Sequence, residues 1–410
     1  MNSENLKKNM AWNAIGNLIY LGCQWLVTIS VTILGGYEPA GVLSLAMSMS
    51  ATFQTVANFG IRNFQVSDVE KKYSDNCYVF FRMLCCLVAL VGCMVTSLIV
   101  KYTFEQLLCV FLFMIFRLAE SVSDVLHGIA QCRDRLDIAG KSFAMKGVGL
   151  LAIFLTVYAT TKNLMLGLLS IAAYSCLTTV FYDVFATRRV ATFSFFDTKT
   201  KWVSLAKETL PLCAYWFLNS AMMMVPRLIL EDKRGEDLLG VYASIFAPAL
   251  LIQMAMGYIY NPFAQILAQL RQKSDIKGFF KLSGKILGLI LVLTVVMIFA
   301  ASLVGEWGLA LLFGDSIRPY VYLLNPILLA ISATSTFGFL CLLSIVLRRF
   351  RFLLISCGVG FGCCLLLTGA MIDRFGLNGT SYSLILSIGV SSLILMIDLL
   401  VNLLKKEKQE

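Results

Sequence analysis

Twelve apolar stretches, each about long enough to cross a bilayer, follow one another through all 410 residues and leave no room for a water-soluble domain. Crossing the hydrocarbon core as a helix takes about 20 mostly apolar residues. A lone spanning segment must be helical, because lipid offers its backbone no hydrogen-bond partner. Composition agrees, with 59% hydrophobic and 14% charged residues and a mean hydropathy of +0.80, outside the range of an ordinary soluble domain. The expected fold class is an all-α polytopic membrane protein.

The spans read Trp12 to Leu34, Ala40 to Asn63, Cys77 to Val100, Phe104 to His127, Ala139 to Thr160 and Leu164 to Thr187, then Glu208 to Leu230, Leu238 to Ile266, Lys281 to Val304, Tyr320 to Leu347, Phe352 to Ile372 and Leu377 to Leu404. They form two sets of six around the long basic linker Arg188 to Lys207. The expected organisation is a six-helix bundle over 1–190, a cytoplasmic linker over 191–207 and a second six-helix bundle over 208–410. A faint repeat pairs Gly41-Val-Leu-Ser-Leu-Ala with Gly240-Val-Tyr-Ala-Ser-Ile, as expected if the halves share orientation.

Cytoplasmic loops carry an excess of Lys and Arg. With the N-terminus inside, alternate connections hold Lys7 and Lys8, Lys71 and Lys72, Arg133, Arg135 and Lys141, the Arg188-to-Lys207 cluster, Arg271 to Lys285, Arg348 to Arg351 and Lys405 to Lys408. Outward connections keep only Lys101, Lys162, Lys233, Arg234, Arg318 and Arg374. Both termini are expected in the cytoplasm. The apolar run after Lys8 is too long for a signal-peptide core and lacks an A-x-A site, so it reads as a retained first span.

Several readings are excluded or weak. The net charge of +10 lies in short topological clusters rather than along an aromatic groove, which argues against nucleic acid. The thirteen cysteines show no C-x-x-C pair and read as small core hydrophobes. One histidine, His127, cannot build a multi-histidine metal site. Gly140-Lys141-Ser142 imitates the end of a P-loop, but the earlier glycine is Arg135 and no strand precedes it. Asn378-Gly379-Thr380 is a chance-level glycosylation pattern.

Intramembrane polar side chains are costly and face a cavity or a partner. At about 100° per residue, Arg117, Glu120, Asp124, His127 and Gln131 form one stripe on the fourth span. Asn9, Asn13, Asn17, Gln24 and Thr28 share a face of the first span, and Ser44, Ser48, Thr55, Asn58 and Arg62 share a face of the second. The eighth aligns Tyr258, Asn261, Gln265, Gln269 and Gln272, and the seventh supplies Asn219 and Arg227. These faces predict a water-accessible central cavity between the bundles. Helix-to-helix hydrogen bonding is the plainer reading of the amides and hydroxyls, and a salt bridge of Arg117 with Glu120 or Asp124 competes with a binding role for those three. Arginines in a cavity suit an anionic passenger such as a phosphate. Glu120 and Asp124 suit a coupling proton or sodium ion. Prolines gather in the second half, at Pro211, Pro226, Pro248, Pro262 and Pro326, where they read as packing irregularities or as gating bends.

The residues Asn9-Met-Ala-Trp12-Asn13 with Gln24 and Gly35, Gly41-Val-Leu-Ser-Leu-Ala, Asn58-Phe-Gly60, Glu120-Ser-Val-Ser-Asp124-Val-Leu-His127-Gly128 with Gln131, Arg135, Asp137 and Lys141-Ser142, Leu210-Pro211-Leu, Val225-Pro226-Arg227, Leu239-Gly240-Val-Tyr-Ala and Leu312-Phe-Gly314 occur in this order. In them the chain resembles the Wzx-type polysaccharide repeat-unit flippases (O-antigen and capsule translocases), of the superfamily that also holds multidrug exporters. The resemblance implies alternating access between two bundles in the bacterial cytoplasmic membrane, moving an undecaprenyl-diphosphate-linked oligosaccharide to the outer leaflet. The polar faces above then offer Arg62, Arg117, Arg227, Asn13, Asn17, Gln24, Asn58, Asn261 and Gln265 as candidate cargo contacts, and the resemblance implies that the cavity cations receive the diphosphate, with no cofactor beyond a proton or sodium gradient and partners among polysaccharide polymerase and chain-length machinery. Many relatives have another polar residue at His127, often tyrosine, so histidine there tunes a pH response or replaces a hydrogen bond. A multidrug exporter and a membrane glycan polymerase or ligase are the rival readings. Outward connections are short for such an enzyme; the longest, Gly305 to Pro319, holds an apolar Trp307-to-Phe313 stretch expected at the interface.

Overall fold

The computed structural model describes residues 3–68, 72–196, 201–260, 263–273, 275–347 and 349–407. Among these the chain is helical throughout: α1 Ser3–Gly35, α2 Tyr37–Asn58, α3 Ile61–Ser67, α4 Asp75–Ile99, α5 Phe104–Gln131, α6 Leu136–Thr161, α7 Leu164–Thr178, a π-helical turn Thr179–Val184, α8 Phe185–Arg188, α9 Trp202–Arg234, α10 Glu236–Tyr260, α11 Phe263–Gln272, α12 Ile276–Phe313, a 3-10 segment Asp315–Leu323, α13 Leu324–Val346, α14 Phe350–Phe375 and α15 Asn378–Glu407. Ten described helical segments are long and apolar enough to span a bilayer, and α5 and α10, with 28 and 25 residues, reach spanning length as well. The chain is a multi-pass membrane protein, as its apolar runs require. Its exposed surface is lipid-like: Leu291, Val292, Val295, Phe299 and Leu303 of α12 all face outward.

Local chemistry sets the helix starts. Thr103 and Gln106 form a reciprocal capping box at the head of α5, with Gln106 Oε1 accepting from Thr103 N at 2.8 Å. Ser74 and Asn163 cap α4 and α7 through side-chain oxygens. Pro326 lies in the first turn of α13, where a missing N–H costs little, so it does not kink the span. Pro248 is inside α10; Pro262 lies outside the described residues.

Several helices begin ahead of the expected spans, α1 at Ser3, α9 at Trp202 within the expected linker 191–207 and α12 at Ile276, and two further differences change how a span is read. The second span does not run unbroken to Asn63: Phe59 and Gly60 both take left-handed backbone angles, φ 47° and 67°, and restart the chain as α3. A Cβ on Gly60 would lie 2.6 Å from Leu212 Cδ2, so glycine answers both the turn and the approach of α9. The ninth span does not stop at Val304: α12 continues through Trp307 to Phe313, making that stretch helix rather than a loop segment.

The contacts divide the chain into two units, Met1–Ser220 and Ala221–Glu410, with the division inside α9. In the first, α1 lies against α6 through glycines: a Cβ on Gly16 would lie 2.0 Å from Gly140 O, and one on Gly140 would lie 2.2 Å from Trp12 O. Small residues that let backbones approach are the usual means of joining membrane helices. This explains the failed P-loop pattern, since Gly140 is a packing residue. In the second unit, α14 and α15 pair with Ser391 Oγ donating to Ser356 O at 2.9 Å. Arg349 grips Asp398 at the same pair of helices, and Tyr242 OH shares a hydrogen bond with Ser381 Oγ at 3.0 Å. The thirteen cysteines are all free thiols, most of them buried.

Candidate functional site

The polar stripe of α5 lies within the first unit and divides there into three groups, one per helical turn. Nearest the middle of α5, Arg117 Nη1 donates to Glu120 Oε2 at 2.8 Å. The other oxygen of Glu120 accepts from Gln24 Nε2 at 3.2 Å, and Gln24 also reaches Tyr20 OH. The Arg117 guanidinium lies over the rings of Phe113 and Phe116, 5.2 and 5.3 Å from their centroids. Of the two salt bridges open to Arg117 in the sequence, Glu120 forms and Asp124 does not.

One turn on, Asp124 is shared by two arginines. Arg62 Nη1 donates to Oδ1 at 2.9 Å, and Arg82 Nη2 donates to Oδ2 at 2.8 Å. Arg82 is wholly buried on α4 and is tied down by its other amine, which donates to Ala57 O at 2.9 Å and Asn58 Oδ1 at 2.8 Å. Arg62 gives a further bond to Gln131 Oε1 at 3.2 Å. Two guanidinium groups thus face one carboxylate.

The third group is buried. His127 Nε2 lies 3.0 Å from Asp183 Oδ1, while Asp183 Oδ2 takes bonds from Ser123 Oγ at 2.6 Å and Lys146 Nζ at 2.7 Å. Lys146 also reaches Ser123 and Thr179. Thr179 and Asp183 open and nearly close the π-helical turn, whose added residue shifts the register so that both face α5 and α6.

These groups border three cavities. One of about 290 Å³ is lined by Thr55, Asn58, Gly60, Arg62, Asp124 and Trp216. A second, of about 170 Å³, touches Asn58, Glu120, Asp124, His127 and Lys146. A third, of about 30 Å³, holds Gln24, Thr28 and Arg117. The structure therefore brings Arg62, Asn58, Asp124, Glu120, Gln24 and Arg117 to adjoining cavities. Asn13 and Asn17 lie farther along α1 and line none of the three; Asn13 Oδ1 is buried without a hydrogen-bond partner. Arg227 lies in the second unit, stacked 4.7 Å from the centroid of the Phe246 ring. Asn261 lies outside the described residues, as does the Gln265 side chain.

Sequence reasoning did not single out Arg82, Lys146 or Asp183. Asp183 is the one charge in the run from Leu164 to Thr187, and Arg82 stands alone in the interior of α4. A solitary charge in a spanning helix demands a partner, and that signal could have found these two; Lys146 shares its span with Lys141.

No protein-family model matches the chain. Over 344 residues it is 24% identical to a capsular polysaccharide biosynthesis protein, CapF, of Staphylococcus aureus, covering 82% of this chain and 83% of that protein. Among solved structures, the lipid II flippase MurJ in an inward closed conformation matches with a TM-score of 0.73 at 9% identity, over 94% of this chain and 87% of that one. An inward-facing multidrug resistance MATE family transporter of the MOP superfamily matches with a TM-score of 0.72 at 12% identity, over 98% and 99%. The chain shares the fold of these two structures. At these identities the likeness carries the fold, and the chemistry rests on the residues described above.

Proposed function

We propose that this protein is a Wzx-type flippase that moves undecaprenyl-diphosphate-linked oligosaccharide repeat units across the bacterial cytoplasmic membrane for surface polysaccharide synthesis. The observation that carries the reading is the surplus of positive charge at Arg62 and Arg82, which share the single carboxylate of Asp124 beside the cavity of about 290 Å³. A buried cation surplus favours an anion, and guanidinium offers the planar paired donors that suit phosphate. Asn58 and Trp216 line the same cavity and add an amide and a large aromatic side chain to it. A relative named for capsular polysaccharide biosynthesis and a fold neighbour named as a lipid II flippase support the same cargo class.

In this reading bundles 1–190 and 208–410, joined by the linker 191–207, alternate access to the two sides, and both termini lie in the cytoplasm. Arg227, Arg117 and Gln24 extend the cargo contacts, and Glu120 and Asp124 respond to a proton or sodium gradient. Chain-assembling polymerase machinery is the expected partner. The protein moves its substrate without altering a covalent bond and is not an enzyme.

The rival reading, a multidrug exporter, requires a carboxylate open to an organic cation. Both candidate carboxylates are engaged by arginine, which weighs against it. Proteoliposomes separate the two. Movement of a labelled undecaprenyl-diphosphate oligosaccharide is expected, whereas export of organic cations under an ion gradient, with no movement of any lipid-linked sugar in a suitable panel, would replace the flippase reading.

A further inference from the structure

Both oxygens of Asp124 are taken by arginine amines, Oδ1 by Arg62 at 2.9 Å and Oδ2 by Arg82 at 2.8 Å. A bound phosphate would present its oxygens to the same two donors. The donors are held independently of the carboxylate. Arg82 keeps its bonds to Ala57 O and Asn58 Oδ1, and Arg62 keeps its bond to Gln131. If Asp124 lets go, the guanidinium groups stay in place and only the acceptor changes. Arg82 is wholly buried and is not among the residues lining the three cavities, so its amine opens to an anion only when Asp124 turns aside. Asp124 itself is about a quarter exposed and lines both larger cavities, which gives it room to turn aside.

We propose that Asp124 is a resident stand-in for the anionic cargo: it occupies the Arg62 and Arg82 donors when the cavity is empty and competes with an incoming phosphate for them. The inference rests on the reading of this cavity as an anion site and gives Asp124 a role besides any response to an ion gradient. Two arginines without a counter-charge would be costly inside a membrane protein, so an internal anion keeps the empty state folded. A transporter must also release what it binds. An arginine pair with no competing anion would hold a phosphate tightly on both sides of the membrane, and a ligand bound equally tightly in both states drives no change between them. Asp124 returns to the donors as the cargo leaves, which lowers affinity and hastens release.

The test is calorimetric binding of inorganic pyrophosphate to the purified protein in nanodiscs, comparing wild type with Asp124→Asn at one pH and ionic strength. Removing the competing charge is expected to tighten binding by about tenfold or more, the equivalent of about 1.4 kcal/mol. Because Asp124→Asn leaves two buried cations with a neutral partner and could unfold, the wild type is read as well, by difference infrared spectroscopy with ¹³C-labelled aspartate. There pyrophosphate is expected to shift a carboxylate stretching band as Asp124 leaves the arginines. Wild-type binding with no band shift, or with equal or weaker binding by a folded Asp124→Asn, overturns the competition while leaving the anion site intact. If neither protein binds pyrophosphate, the anion reading fails and the inference falls with it.

Discussion

Lys146 Nζ on α6 lies 2.7 Å from Asp183 Oδ2 on the π-helical turn, with both side chains withdrawn from solvent. Asp183 has no exposed surface, and Lys146 keeps only a sliver beside the cavity of about 170 Å³, so water compensates these charges little. Ser123, Thr179 and His127 fill the remaining positions around it. This cluster ties α5, α6 and the end of α7 together, and the helix that carries it is the one that presents Glu120 and Asp124 to the cavities.

Breaking that pair one partner at a time should be more harmful than removing it whole. Lys146→Met or Asp183→Asn alone leaves a buried charge unpaired and is expected to cost about 3–5 kcal/mol. The double variant should recover much of that loss. Thermal unfolding of the four proteins in one detergent checks the prediction, and strictly additive losses would show that the two charges do not compensate each other.

Gly140→Ala should separate α1 from α6. Its Cβ would lie 2.2 Å from the Trp12 carbonyl oxygen and 2.3 Å from its carbon, and backbone cannot turn aside as a flexible side chain can. The expected loss is about 1–3 kcal/mol, typical of overpacking. Gly22, on α1 with no neighbour within 4 Å, is the control and should tolerate alanine with little change. Melting temperatures of the two variants read the difference.

Asp68, in the connection between α3 and α4, accepts from Lys72 N at 2.9 Å, Tyr73 N at 3.0 Å and Tyr78 OH at 2.8 Å. Partial burial pushes its carboxyl upward, but the backbone N–H groups and Tyr78 outweigh burial, and the net shift is downward. A depressed folded-state value means that this carboxylate contributes stability above its unfolded value, about 3.9, and that the contribution is lost as pH falls through the lower folded value. Amide exchange at Lys72 and Tyr73, corrected for intrinsic rates, should therefore quicken on acidification. Asp68→Asn should remove that dependence, and an unchanged profile in the variant would assign the effect elsewhere.

Much of the fold was legible because a bilayer tolerates few solutions. All twelve apolar runs have helical counterparts, and the α5 stripe was visible because its five polar residues repeat at the helical period. What the stripe could not show was how its members pair. Arg117 finds Glu120 on its own helix, whereas Asp124 turns to Arg62 and Arg82, which arrive from α3 and α4. The break at Phe59 and Gly60, a reversal in the left-handed region, brings Arg62 to that meeting; apolar periodicity continues through it and hides it. Lys146 and Asp183 belong to no polar stripe at the helical period, and a π-helical turn shifts the register on which any helical projection of Asp183 depends.

In the proposed function Arg62 and Arg82 receive the phosphate of a lipid-linked glycan. The most direct measurement of this is the rate at which proteoliposomes carrying wild type, Arg62→Gln or Arg82→Gln move a labelled undecaprenyl-diphosphate oligosaccharide, with folding of each variant verified by its melting profile. Loss of one charged donor, worth about 1.5–3 kcal/mol, predicts that flipping by the part-exposed Arg62→Gln falls by about tenfold or more, with Arg82→Gln at least as slow. Wild-type rates in both folded variants would contradict the account.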